Sequence, residues 1–177
     1  MSDSEFVPAL CPDPVDLADL LIRATRLGWP TTEDERQRYF AALGLRDLGP
    51  AETRDGDPET VWHRFATSLP GEVEGSAITF RGEFLGLHVF AYHEPGDDGP
   101  AAREGFAMLR EYLSEALGAP AEEWGTPREP ACVWLPGPLT LDMYCFQRGS
   151  SGIMVGPSHT ERSAANDAAA ARRQAGG

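Results

Sequence analysis

Two of the chain's four histidines, His88 and His93, fall within the stretch "LGLHVFAYHE" (residues 85–94), with Glu94 directly after His93. Imidazoles and a carboxylate at this spacing suit metal ligation or proton transfer. Strand alternation argues against the simplest metal site, because successive side chains point to opposite faces. Leu85, Leu87, Val89, Ala91 and His93 share one face. Gly86, His88, Phe90, Tyr92 and Glu94 share the other. The two imidazoles are therefore predicted to diverge. A metal would need a ligand from elsewhere, and the one candidate donor is His63, since His159 opens the C-terminal tail. No metal is expected.

Other chemistries fail on residue type or context. No glycine-rich dinucleotide fingerprint, phosphate-binding loop, HExxH helix or GxSxG elbow occurs. All 15 basic residues are arginine, so a phosphate-cradling lysine and a lysine Schiff base are both excluded. "GSSG" at 149–152 reads as a hairpin turn, and "DGD" at 55–57 begins like a calcium loop without its remaining ligands. Glu72, Glu74, Glu94, Asp97 and Asp98 sit in Gly/Pro-rich loops around the histidine strand. They are read as solvated acids that steer a partner, since a catalytic carboxylate pair must converge in a cleft. Cys11, Cys132 and Cys145 are odd in number and lack CxxC spacing, which predicts free thiols. No cofactor is expected.

The aromatic residues form the stronger pattern. "LTLDMYCF" splits like the histidine strand, with Leu139, Leu141, Met143 and Cys145 on one side and Thr140, Asp142, Tyr144 and Phe146 on the other. If the two strands are neighbours, His88, Phe90, Tyr92, Tyr144 and Phe146 make an aromatic patch on the sheet face away from the helices. Such patches ringed by polar groups are typical interaction surfaces. The net charge of −13 repels nucleic-acid phosphates and anionic membranes, and favours a protein partner with a basic surface. The alternative is an enzyme or small-ligand binder with His88, Tyr92 and Tyr144 around a pocket.

These residues must be positioned by a modest set of elements. At 177 residues, 41% of them hydrophobic, the chain suits one core. "DLADLLIRATRL" and "TTEDERQRYFAALGL" carry apolar stripes of helical period; Thr32 and Glu35 fit a capping box and Gly44 a helix stop. They predict an N-terminal helical hairpin, with Trp29 packed in its joint. Residues 45–60 read as a loop. At 58–69 two readings stay open: a helix capped by Asp57 with Pro58 in its first turn, or an alternating strand. "SAITF" and "FLGLHVFAYHE" around "RGE" predict a β-hairpin. A long helix over 101–117 comes next, then strands at "ACVWL", "LTLDMYCF" and "IMV". The fold class is thus α+β: an antiparallel sheet of about five to six strands with helices packed on one face. The domain is placed at 1–157, and residues 158–177 are read as a flexible Ala-rich tail that forms at most a short, frayed helix, because it is too poor in apolar groups to order itself. No signal-peptide pattern or long apolar run is visible, so the expected location is cytoplasmic.

Four stretches together, "LGWPTTEDERQRYFAALGL", "TSLPGEVEGSAITFRGEFLGLHVFAYHE", "LGAP" after the long helix and "VWLPGPLTLDMYCF", resemble an uncharacterised family of small actinobacterial α+β proteins. The resemblance spans roughly residues 16–156 and brings no catalytic residues with it. In outline the chain is similar to the immunity proteins of toxin systems and to small secretion chaperones. That similarity implies a non-enzymatic protein that masks or escorts a partner, such as a co-encoded toxin or a secreted protein.

Overall fold

A computed structural model describes residues 9–51 and 59–175. The 55–57 stretch that begins like a calcium loop and the Asp57–Pro58 cap lie outside the described residues. The described residues run through twelve elements: α1 (Pro14–Arg26), α2 (Glu33–Leu43), β1 (Arg46–Pro50), β2 (Thr60–Ala66), β3 (Glu74–Phe80), β4 (Glu83–Pro95), α3 (Pro100–Leu117), β5 (Glu122–Gly125), β6 (Pro130–Trp134), β7 (Leu139–Arg148), β8 (Ser150–His159) and α4 (Thr160–Ala175).

Local chemistry sets the ends of these elements. Asp13 Oδ1 accepts from the Val15 N–H (2.9 Å), and Thr32 Oγ1 from the Glu35 N–H (3.2 Å), so both leading helices carry side-chain caps. Gly44 closes α2 in the left-handed conformation. Arg81 and Gly82, both at positive φ, turn β3 into β4, as a tight right-twisted hairpin requires.

The sheet is α+β in context and antiparallel throughout, but it has eight strands rather than five to six, in the order β1-β2-β3-β4-β8-β7-β6-β5. The two additions are short. β1 ("RDLGP") and β5 ("EEWG") carry no apolar alternation, so sequence alone gives them to loops. The open choice at 58–69 resolves as strand β2, paired on both sides; Phe65 is fully buried while Trp62 faces outward. Two meanders, β1–β4 and β5–β8, meet at the central β4–β8 pair. Strand β8 therefore separates β4 from β7, which sequence alone allows to be neighbours.

α1, α2 and α3 cover one face of the sheet. Leu17, Leu21, Leu109 and Leu113 from the helices are fully buried with Phe65, Leu87, Val89, Leu141, Met143, Ile153 and Val155 from the strands. Trp29, in the joint of the helical hairpin, stacks on Phe84 (4.8 Å between ring centroids) and meets the edge of Tyr39 (5.7 Å). The segment expected as a tail is helix α4, and it lies on the other face. Its Ala169 is buried against Phe80, Leu85 and Ile78.

A candidate binding face on the open side of the sheet

Alternation along β4 is broken twice, and the breaks relocate the histidine stretch. The register with β3 shifts around Leu85, and the register with β8 shifts between Ala91 and Glu94, where Tyr92 has φ +55°. Each β-bulge inserts a residue and turns the residues after it to the other side. Leu85 is thus on the open face under α4, against the expectation that it shares the helix side with Leu87. Tyr92 moves the opposite way. It is buried beneath the helices, its ring lying against Gly105 of α3. Tyr92 accordingly drops out of the expected open-face patch. His93, expected at the wet end of the aliphatic face, is exposed but on the open face, against Phe146 (5.4 Å).

The other four patch residues hold their expected side. Registers across β4, β8 and β7 align Phe90 with Met154 and Met154 with Tyr144. On β7, Leu141, Met143 and Cys145 are buried, whereas Asp142, Tyr144 and Phe146 are half-buried on the open side. The row continues through Ala131 of β6 to Trp124 of β5, whose ring meets Tyr144 at 5.6 Å and 74° and is 46% exposed. An aromatic band, Phe90–Met154–Tyr144–Trp124 with Phe146 and His93 beside it, therefore crosses much of the sheet. Sequence reasoning misses Trp124 and Met154. The one signal at Trp124 is an isolated large apolar side chain in a polar stretch.

A second, polar row runs alongside. Arg64, Ser76 and His88 are opposite one another in register on β2, β3 and β4. His88 then reaches over Gly156 of β8, and its Nε2 lies 3.2 Å from Asp142 Oδ1. A Cβ at Gly156 would stand 1.9 Å from the Leu87 carbonyl oxygen, so glycine is required for the close approach of β4 and β8 there. Tyr144 is pushed up to about 12 by burial and by the Asp142 carboxylate next to it. Sequence alone does not show the His88–Asp142 pair, because it depends on β8 lying between β4 and β7.

The acidic residues divide in two. Glu94 accepts from the Ala101 N–H (3.0 Å) at the start of α3, Asp97 accepts from the Gly149 N–H, and Asp98 pairs with Arg103. These three tie down the entry to α3. Glu74 pairs with Arg64 (2.8 Å) at the surface. Together with Glu72 it lines a cleft of about 660 Å³, formed by residues 9–12, 71–74 and 90–93 with Ala101. Phe90, Tyr92 and His93 border that cleft; His88 and Tyr144 do not.

The three cysteines are free. Burial pushes Cys132 up to about 12 and raises Cys145, so neither is a ready thiolate. Among the described residues, no group of three or more His, Cys, Asp or Glu side chains is gathered to hold a metal. No helix among them is long and apolar enough to cross a membrane. In comparisons with protein-family models, curated proteins and solved structures, nothing matches the chain.

Proposed function

We propose that this chain is a non-enzymatic, acidic binding protein that masks or escorts a protein partner, in the manner of an immunity factor or a chaperone. The partner docks on the half of the open sheet face that α4 leaves uncovered. One observation carries the reading: Phe90, Met154, Tyr144, Phe146 and Trp124 line up side by side on that face, each partly accessible. Aromatic side chains of this kind supply large contact areas at low entropic cost and dominate binding hot spots. The net charge of −13 favours a partner with a basic surface, and raises its association rate at low salt.

The test is capture from extracts of the native host, with the wild-type chain and a Tyr144→Ala/Phe146→Ala variant run side by side. A 1:1 complex that the variant loses, with an association rate that falls as salt rises, is expected. Equal capture of the same protein by both forms would sink the proposal.

A second reading, a small-ligand binder or enzyme, is favoured by the His88–Asp142 pair with Tyr144 beside it. It has lost Tyr92, which is on the other side of the sheet. His88→Gln separates the two readings: on the first, partner capture survives it; on the second, ligand turnover or binding is abolished.

A further inference from the structure

The sheet has two edges, and they differ. At one edge, β1 carries Pro50, which has no N–H, and a register shift between Asp47 and Gly49. Proline and bulges blunt an edge against further pairing. At the other edge, β5 keeps an unbroken register with β6 over all four of its residues, and every one of them is exposed. Among the described residues β5 pairs with β6 alone, which leaves its outward N–H and C=O groups without a strand partner. Its side chains add a selection rule. Glu122 and Trp124 point to the open face two residues apart, and Glu123 points the other way, held by Arg110 through Nε (3.2 Å) and Nη2.

We infer that β5 accepts a ninth strand from a partner, an extended cationic segment with two basic side chains two residues apart. The inference rests on the proposed partner-binding role and names the segment that engages it. Main-chain hydrogen bonds to an open edge supply affinity, and alternate side chains supply specificity. One basic side chain of the added strand neighbours the Glu122 carboxylate. The next stacks on the accessible ring of Trp124, where a cation is attracted to the aromatic face. The same carboxylates exclude a second copy of this chain, because self-pairing along β5 would gather four glutamates on one ribbon. The edge is thus closed to itself and open to a basic strand. It also adjoins the aromatic band through the Trp124–Tyr144 contact, so one partner can engage both.

The probe is a synthetic peptide alternating lysine with valine, added to the full chain while backbone amide exchange is monitored. Slowed exchange at β5 amides is expected, with no slowing at β1. A glutamate–valine peptide, and a lysine–valine peptide N-methylated on alternate amides, are expected to leave β5 unprotected. Glu122 makes no ion pair among the described residues, and Glu122→Arg is expected to weaken the peptide by about tenfold or more. Glu122→Gln is the milder substitution if the arginine variant unfolds, with weakening in the same direction. Absent protection at β5, equal binding of the glutamate peptide, or indifference to both Glu122 substitutions would overturn the inference. Failure here is distinguishable from failure of the proposed function. If a natural partner is lost with Tyr144→Ala/Phe146→Ala but unaffected by Glu122→Arg, the open face binds and the edge does not.

Discussion

Tyr92 concentrates the consequences of one bulged residue. Its hydroxyl is buried and has no hydrogen-bond partner among the described residues, and burial raises its titration well above the usual tyrosine range. An unsatisfied buried hydroxyl costs free energy that a same-shaped apolar ring does not. Tyr92→Phe is therefore expected to stabilise the fold by about 1 kcal/mol in chemical denaturation; a loss of stability would mean that the hydroxyl is satisfied. His63 gives a second, pH-dependent expectation. Burial, and then the Arg36 guanidinium, lower it from 6.5, outweighing Asp47 and Glu33, which pull it up. The unfolded chain then binds a proton at His63 more readily than the folded one. Its contribution is fully present above 6.5 and is lost as pH falls through that value towards the folded one. Stability measured across this range should fall less steeply with acid in His63→Gln than in the wild type. Equal slopes would remove His63 from the acid response.

At the scale of elements, α4 shows why composition misleads. Its own side chains bury almost nothing, and the apolar surface it needs comes from Ile78, Phe80 and Leu85 on the sheet. Polar ties complete the attachment: Arg162 donates to the carbonyls of Pro30 (2.9 Å) and Phe84 (3.0 Å), and Thr60 donates to Asn166 (3.2 Å). Ala169→Asp puts a charge into that small apolar contact. It is expected to release α4, lowering helical ellipticity and raising dye binding, at a cost of about 1–3 kcal/mol with the rest of the fold retained. Unchanged ellipticity would show that α4 does not depend on this contact. The features legible in the sequence are local: the Thr32 cap, the Gly44 stop, the Arg81–Gly82 turn, and the two-sided pattern of β7. β1, β5, α4 and the bulges at Leu85 and Tyr92 depend on partners distant in sequence. At Tyr92 no glycine announces the positive φ. The trace it leaves is Gly105 in mid-α3, where a Cβ would collide with the Tyr92 ring at 2.2 Å.

In the whole molecule, two four-strand meanders share the main core under the helices. Phe65, Ala77 and Leu87 from the first are buried in one cluster with Cys132, Leu141 and Val155 from the second, beneath α1 and α3. The seam is β4 against β8, where Val89 is opposite Val155 and Ala91 opposite Ile153, all essentially inaccessible. Unzipping either meander would expose the apolar face of the other, so neither half has a core of its own. Denaturant unfolding should therefore be a single cooperative transition. Two single-tryptophan variants can report on the halves separately. Trp29 stacks on Phe84 in the first, and Trp134, buried, donates to the Gly118 carbonyl (3.0 Å) in the second. Coincident midpoints for the two fluorescence signals are expected, together with the same midpoint by far-UV ellipticity. Separated midpoints would mean that the β4–β8 seam opens first and that each meander persists alone. The aromatic band, which crosses that seam from Phe90 through Met154 to Tyr144, would then be lost before either half unfolds.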